Sequence, residues 1–250
     1  TLVVDQMRQH ASKFMSMYSQ EMFIPLVVRA PMGGRRGYGP THSQNLEGLY
    51  IGTPNIVCIS VSPFGIDEDW FSDLLSIGHP VIQFEHKDLY SKAAIVSLPL
   101  PYLVSRLSAT RFGGYRALPG NQVPDCVVLT YGNAARLVFE ALEVLARKYE
   151  VFCDVRVPEV ISPLDEADLL GGLTPGSRLL VIEECLPEQG IVGAVISSLT
   201  QCGLSSSVTV SSLGGYGEIG CSAFGERSAT ISSDSVVDFT LRALEKEVQW

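Results

Sequence analysis

The second half of the sequence alternates between short apolar runs and segments with helical spacing. Strand-length apolar runs occur at 126–131, 151–157, 178–183 and 207–211. Segments with helical spacing lie between and after them, at 134–148, 165–170, 190–202 and 234–248. Neighbouring parallel strands need such crossover connections, so the alternation predicts a largely parallel sheet covered by helices on both faces.

The first half shows the same two patterns, strand-length apolar runs and helical spacing, less regularly. A helix with one buried face is predicted over 2–20, where the apolar positions are Val3, Met7, Phe14, Met17 and Tyr18. Strands are predicted at 25–29, 56–62 and 80–84, and a helix with an acidic start at 67–76. Residues 31–44 hold so many glycines beside two prolines that they predict a loop.

A change in composition separates the two halves. Residues 91–122 contain Leu-Pro steps and paired glycines, which are more typical of an ordered linker than of a core element. The sequence therefore predicts an α/β chain of two three-layer domains with mostly parallel sheets. The first is expected at 1–118, with the linker beginning inside it, and the second at 123–250.

Composition excludes two classes of partner. The 250 residues carry 18 Lys and Arg against 27 Asp and Glu, a net charge of -9 without a basic stripe, which argues against nucleic acid. No run approaches the roughly 18 apolar residues of a membrane span. The excess of hydrophobic residues (46%) over charged ones (18%) suggests that another subunit covers part of the surface. No secretory signal opens the sequence, so a cytoplasmic location is expected.

Several motifs of cofactor and metal chemistry are missing from the sequence. Neither G-x-G-x-x-G nor G-x-x-x-x-G-K-[ST] occurs, so NAD or ATP binding by this chain is not expected. The four histidines show no i, i+4 pair and the six cysteines no Cys-x-x-Cys pair, so no metal site is expected. A G-x-S-x-G nucleophile motif is also missing.

Two further groups of residues favour a structural interpretation. The contiguous acids Glu183-Glu184 and Asp67-Glu68-Asp69 are typical of a solvated face or a helix start. The cysteines lie mostly in apolar runs, as Cys58, Cys126, Cys153 and Cys202 do, and are predicted to be buried reduced thiols.

His42 is the candidate for proton transfer. It lies in the run Gly-Pro-Thr-His-Ser-Gln at 39–44, and its imidazole exchanges protons near neutral pH. Small neighbours on a loop allow such a side chain to face a cleft and a substrate to approach it. Arg35 and Arg36 either orient an anionic substrate or are solvated.

The same loop carries a resemblance to a known family. The runs at 25–34 and 37–47, with the G-P-T-H and H-S-Q signatures around His42, resemble the thiamine-diphosphate-dependent transketolase superfamily. The greatest similarity is to the beta subunit of the 2-oxoacid dehydrogenase first component. Further matches follow in colinear order at 80–85, 89–90, 130–132, 161–165 and 181–184.

The resemblance implies a pyrimidine-binding domain followed by a transketolase C-terminal domain. It implies thiamine diphosphate and Mg²⁺ as cofactors, held mainly by a partner chain. His42 is implied to contact the reacting substrate or an acyl carrier. The expected substrate-facing residues of its loop are Arg35, Arg36, Tyr38, Ser43 and Gln44.

The sequence also departs from the family. The glutamate and the stacking aromatic of the front half of the pyrimidine-binding domain are missing, as is a G-D-G…N motif. We therefore expect a naturally split enzyme, with a fragment of a longer protein as the alternative. Around 214–220 the usual proline- and aromatic-rich segment is missing, which argues against docking to a lipoyl acyltransferase.

These observations lead to one functional hypothesis and two alternatives. The chain is expected to be a subunit of a split enzyme that makes an acyl or ketol carbanion from a 2-oxoacid or ketose. It would transfer a two-carbon unit to a carrier-bound or small acceptor. The expected partners are an alpha-type subunit, in a heterotetramer, and an acyl carrier protein or lipoyl domain. The alternatives are a 2-oxoacid dehydrogenase beta subunit and a non-catalytic structural subunit.

Overall fold

The computed structural model describes residues 2–18, 22–99, 101–215 and 217–246. Ten strands are described: β1 Val27–Met32, β2 Val57–Ser60, β3 Val81–His86, β4 Leu103–Arg106, β5 Tyr115–Leu118, β6 Cys126–Thr130, β7 Cys153–Val157, β8 Val160–Ser162, β9 Arg178–Ile182 and β10 Thr209–Leu213. Seven α-helices accompany them: α1 Phe14–Tyr18, α2 Trp70–Ser76, α3 Gly132–Tyr149, α4 Glu166–Leu170, α5 Val192–Gln201, α6 Ala223–Ser228 and α7 Ser233–Ala243.

The strands form two mostly parallel sheets. The first has the order β1-β3-β2-β8, in which only β8 is antiparallel to its neighbour. The second has the order β10-β9-β6-β7-β5-β4, in which β5 and β4 are antiparallel. Helices flank both sheets, so the predicted α/β class with mostly parallel sheets is confirmed. Residues 247–248 of the helix predicted over 234–248 lie outside the described residues.

The segment predicted as a linker contributes two strands to the second sheet, which corrects that prediction. Within 91–122, β4 pairs with β5 and β5 pairs with β7. Both strands are four residues long and β4 is exposed throughout, so neither shows the alternation that identifies a strand in a sequence. The domain boundaries at 118 and 123 stay a prediction, because β8 of the second half joins the first sheet.

The N-terminal helix is interrupted and more exposed than predicted, and residues 19–20 of the helix predicted over 2–20 lie outside the described residues. A π-helical turn at Gln6–Ala11 precedes α1, and only Met7 of the two segments is buried. Val3, Phe14 and Met17 are exposed. The break after Ala11 changes the phase of the helix, so apolar positions on its two sides no longer share one face.

A shared core joins the two halves. One cluster of buried residues includes Ile82 and Phe84 of β3 together with Leu129 of β6 and Val181 of β9. The carboxyl ends of β3, β6 and β9 therefore lie close together. Ligands of parallel α/β sheets bind at such carboxyl ends, which places the candidate site there.

Candidate functional site

The loop that carries His42 follows β1 and depends on its glycines. Gly33 has a φ of +83° and packs against His86, so that a Cβ at this position would overlap the imidazole ring. Gly39 has a φ of +75°, and its carbonyl accepts hydrogen bonds from the backbone N–H groups of His42 (3.3 Å) and Ser43 (3.1 Å). Left-handed φ values cost little only for glycine, so the composition of the loop fixes the turn that presents His42.

The His42 side chain is exposed, whereas its backbone is held by a hydrogen bond from a neighbouring side chain. Its carbonyl oxygen accepts a hydrogen bond from Lys87 Nζ, which also lies 5.1 Å from the centroid of the Tyr38 ring. Burial lowers the pKa of Lys87, and the charge of Glu226 raises it by less. Tyr38 and Lys87 therefore form the cation–π contact that flanks His42.

Glu226 of α6 binds the inner side of the His42 loop. It is 0% exposed and accepts hydrogen bonds from the N–H groups of Gly37 (2.8 Å) and Gly39 (2.6 Å) and from Ser43 Oγ (2.7 Å). Burial raises the pKa of Glu226, but these hydrogen bonds lower it by more, so the carboxyl group stays ionised. The second half of the chain thereby supplies the anion on which the loop folds.

Glu184, which directly follows β9, is the second buried anion that contacts the His42 loop. Arg35 Nη2 lies 3.2 Å from its Oε1, His86 Nε2 lies 2.9 Å from its Oε2, and Asn133 Nδ2 lies 3.2 Å from both oxygens. Burial raises the pKa of Glu184, but His86 and the Arg35 guanidinium lower it to about 2. Glu184 is therefore an ionised, fully engaged carboxylate.

In the neighbouring carboxyl groups of Glu183 and Glu47, by contrast, burial raises the pKa. Burial raises the pKa of Glu183 to about 7, although Ile191 N–H (2.9 Å) and Tyr131 O–H (3.1 Å) donate to its Oε2. Burial, and then the charges of Glu183 and Glu184, raise the pKa of Glu47 to about 8. Glu47 Oε2 and Glu183 Oε1 have no hydrogen-bond partner among the described residues. The expectation of a solvated Glu183-Glu184 face was wrong, because both residues directly follow β9 and are buried where the two halves of the chain meet.

A cavity of about 350 Å³ lies between the His42 loop and the second half of the chain. The loop lines it with residues on both sides of His42, namely Pro40, Ser43, Gln44 and Asn45. The opposite walls are the segments 184–186 and 217–219, with Gln189, Gly215, Ala229 and Thr230. The cavity therefore has walls from both halves and lies beside residues on either side of His42, which is not itself one of the lining residues.

The structure separates the predicted loop residues into two groups. His42, Arg36, Tyr38 and Gln44 are exposed, and Arg36 Nη2 lies 3.3 Å from Ser91 Oγ. Ser43 is buried on Glu226. Arg35 has a φ of +76° and also donates to the Ile231 carbonyl oxygen. A direct role of Arg35 in holding a substrate anion stays a prediction, but its guanidinium is engaged by Glu184.

Sequence reasoning missed Glu226, Lys87 and His86. His86 and Lys87 had a usable signal, because they directly follow the core of a strand predicted in a parallel sheet. Glu226 had none, since α6 has six residues and no apolar periodicity.

Metal ligands and thiols complete the inventory of reactive groups. In the described ranges, no group of three or more His, Cys, Asp or Glu side chains is arranged to hold a metal ion. Cys58, Cys126, Cys153 and Cys185 are buried free thiols. Cys202 is exposed, contrary to the prediction, because it caps the C-terminus of α5 rather than lying on its apolar face.

Comparison with known proteins identifies the second half. Residues 116–231 match the family model described as "Transketolase, C-terminal domain". This region of the chain is therefore similar to the transketolase C-terminal domain. The matched region begins within β5 and contributes Glu183, Glu184 and Glu226 to the site, whereas the His42 loop lies outside the matched residues.

The longer similarities reach into the first half. Pyruvate dehydrogenase E1 component subunit beta of Chaetosphaeridium globosum is 26% identical over 181 residues, which cover 71% of this chain and 52% of that protein. Acetoin:2,6-dichlorophenolindophenol oxidoreductase subunit beta of Cupriavidus necator is 25% identical over 197 residues, covering 79% and 55%. The predicted resemblance to beta subunits is confirmed, and the chain spans about half the length of these relatives.

A solved structure supports the fold. It is described as a split gene transketolase, inactive beta4 tetramer, and matches with a TM-score of 0.64 at 17% identity, over 89% of this chain and 68% of that one. At this identity the likeness concerns the fold alone. Among the helices of the described ranges, none combines the length and the hydrophobicity needed to cross a bilayer.

Proposed function

We propose that this chain is a subunit of a thiamine-diphosphate-dependent enzyme that makes an acyl or ketol carbanion from a 2-oxoacid or a ketose. The enzyme transfers a two-carbon unit to a carrier-bound or small acceptor. One observation carries the proposal. The exposed His42 lies on a loop held by both halves of the chain, beside a cavity of about 350 Å³. An imidazole in that position can exchange a proton with a bound substrate or acceptor.

The proposed cofactors are thiamine diphosphate and Mg²⁺, held mainly by an alpha-type partner chain in a heterotetramer. When bound, thiamine diphosphate stabilises a carbanion next to a carbonyl carbon. The described residues of this chain do not fit a magnesium–diphosphate site, since they offer no group of three metal-ligating side chains. The contribution of this chain is therefore to position His42 and to form the wall of the cavity opposite its loop.

The second candidate is a 2-oxoacid dehydrogenase beta subunit that passes the acyl group to lipoamide. It is favoured by the similarity to a protein named pyruvate dehydrogenase E1 component subunit beta. The first candidate is favoured by the segment around 214–220, where the proline- and aromatic-rich sequence expected for docking to a lipoyl acyltransferase is missing. The two differ in the acceptor and not in the proposed role of His42.

A reconstitution experiment tests the proposal. The chain is isolated with its natural partner, thiamine diphosphate in the complex is quantified, and transfer from 2-oxoacids and ketoses is measured by mass spectrometry. A lipoyl domain and a phosphopantetheinyl carrier protein serve as rival acceptors. Acylation of the carrier protein supports the first candidate, and acylation of the lipoyl domain supports the second. A stable complex that binds no thiamine diphosphate would instead identify a non-catalytic structural subunit.

A further inference from the structure

We propose that Glu226 is a positioning residue that fixes the loop carrying His42, so that the transketolase C-terminal domain sets where the imidazole stands. The inference extends the proposed function, and its catalytic consequence depends on the role of His42. Its structural part does not, because it concerns the order of residues 37–43.

The hydrogen bonds of Glu226 enclose the turn that presents His42. Gly37 N–H and Gly39 N–H donate to its two carboxylate oxygens from before the turn, and Ser43 Oγ donates from directly after His42. The Gly39 carbonyl then accepts from the His42 and Ser43 N–H groups. One carboxylate thus fixes both ends of the turn, while the His42 side chain stays exposed.

Although burial raises the pKa of Glu226, these hydrogen bonds lower it by more and so keep this acceptor an ionised carboxylate. Two N–H groups and one hydroxyl need three acceptor positions on two oxygens, and hydrogen bonds to a charged acceptor are roughly twice as strong as neutral ones. The described residues place no Lys or Arg side chain in a salt bridge with Glu226. The hydrogen bonds of the loop, together with the nearby charge of Lys87, therefore stabilise this buried anion, and the anion in turn orders the loop.

The helix that carries Glu226 is itself held against the loop. Ala223, the first residue of α6, packs on Gly37, where an added Cβ would lie 3.3 Å from the Ala223 Cβ. Ser222 Oγ accepts a hydrogen bond from Gly225 N–H at 3.0 Å and so caps α6. On the other side, Lys87 Nζ donates to the His42 carbonyl. The His42 backbone is thus fixed between a cation that directly follows β3 and an anion from the C-terminal domain.

Hydrogen–deuterium exchange tests the structural part on the full chain. Glu226→Gln keeps the shape of the side chain but replaces one acceptor oxygen with an amide donor. We expect exchange over residues 37–43 to accelerate about tenfold or more, the effect of losing charge-assisted hydrogen bonds. Ser43→Ala, which removes one of the three donors, should give a smaller acceleration. Glu68→Gln makes the same change on an exposed residue and should leave the loop unchanged.

A second measurement separates local loosening from general unfolding. Exchange in α3, which lies far from α6 in the sequence, should stay at the wild-type rate in Glu226→Gln. Unchanged protection of residues 37–43 in a folded Glu226→Gln chain would overturn the proposal. Should Glu226→Gln fail to fold, Ser43→Ala alone decides, and wild-type protection of the loop in that variant would overturn it as well.

A double-mutant cycle in the reconstituted complex tests the catalytic part. Glu226→Gln should lower kcat by about 10- to 100-fold with little change in KM, because a misplaced catalytic group costs turnover. In a His42→Ala background the same change should have almost no further effect on kcat. Additive losses would overturn the positioning role. If His42→Ala alone leaves kcat unchanged, the proposed function fails, while the exchange experiment still decides the structural part.

Discussion

Arg35 Nη2 lies 3.2 Å from Glu184 Oε1, although 149 residues separate the two in the sequence. The pair joins the His42 loop to the end of β9, and the side chains of both residues are largely buried, at 17% and 5% exposure. An arginine in the same loop as a candidate catalytic histidine is an obvious candidate for substrate binding. Here its guanidinium instead connects the first half of the chain to the region that matches the transketolase C-terminal domain.

Replacing Arg35 should therefore cost stability. Arg35→Gln leaves Glu184 buried and ionised with only His86 and Asn133 as partners. We expect the free energy of unfolding to fall by about 3 kcal/mol, the usual cost of breaking a largely buried ion pair. Urea denaturation followed by circular dichroism measures the change.

Arg36→Gln is the matched control for that experiment. Arg36 is exposed and makes one side-chain hydrogen bond of 3.3 Å, so its replacement should change stability by no more than about 0.5 kcal/mol. Equal losses for the two variants would contradict the structural role of Arg35.

The difference between Arg35 and Arg36 could not be predicted from the sequence. Both lie in a loop where Arg35 itself has a φ of +76°, and such a backbone sends neighbouring side chains in directions that no regular period describes. By contrast, α3 was predicted at 134–148 and observed at Gly132–Tyr149, because its apolar face repeats through four turns.

The residues of the candidate site also differ in whether the sequence alone could identify them. His42 was identified from local composition, because a histidine among glycines indicates a loop that can present a proton-exchanging imidazole to a cleft. Glu226 and Glu184 reach that loop only through the contact between the two halves, and a contact over 183 residues leaves no local pattern. The contiguous pair Glu183-Glu184 even indicated a solvated face, because a sequence does not record that a strand ends in a buried joint.

Glu47 should make the stability of the chain depend on pH. Burial raises its pKa from 4.5 to about 8, so the folded chain holds this proton more tightly than the unfolded chain does. Its stabilising contribution is therefore complete below about pH 4.5 and is lost as the pH rises to about 8. Glu47→Gln cannot ionise, so between pH 4.5 and pH 8.5 wild type should lose on the order of 5 kcal/mol of stability that the variant keeps.

The measurement is the free energy of unfolding at several pH values between 5 and 8.5. Glu183 and Glu159, whose pKa values burial also raises to about 7, should keep part of the slope in the variant. Glu68→Gln, at an exposed position, should follow the wild-type curve. Identical slopes for Glu47→Gln and wild type would show that Glu47 is ionised in the folded chain.

Gly190 should resist even the smallest substitution. A Cβ at this position would overlap the Glu183 carboxylate, which is fully buried and bound by Ile191 N–H and Tyr131 O–H. Gly190→Ala should therefore destabilise the chain by about 1–3 kcal/mol, as overpacking of a core does. Thermal denaturation compared with wild type measures this change.

Gly193 provides the control, since it lies in α5 with no atom within 4 Å of an added Cβ. Gly193→Ala should be neutral or stabilise the chain by up to about 1 kcal/mol, because alanine favours the helix. A loss in Gly193→Ala as large as that in Gly190→Ala would mean that helix backbone effects, and not the Glu183 contact, explain the result.

His42→Ala tests the proposed proton transfer. The His42 side chain is exposed, so its removal should leave folding and assembly with the partner intact. Turnover in the reconstituted complex should fall by about 10²-fold or more, the usual contribution of a positioned acid–base group. His10→Ala removes an exposed histidine from the N-terminal turn and should keep full turnover. Unchanged turnover in an assembled His42→Ala complex would refute the catalytic role and leave the loop as a structural feature only.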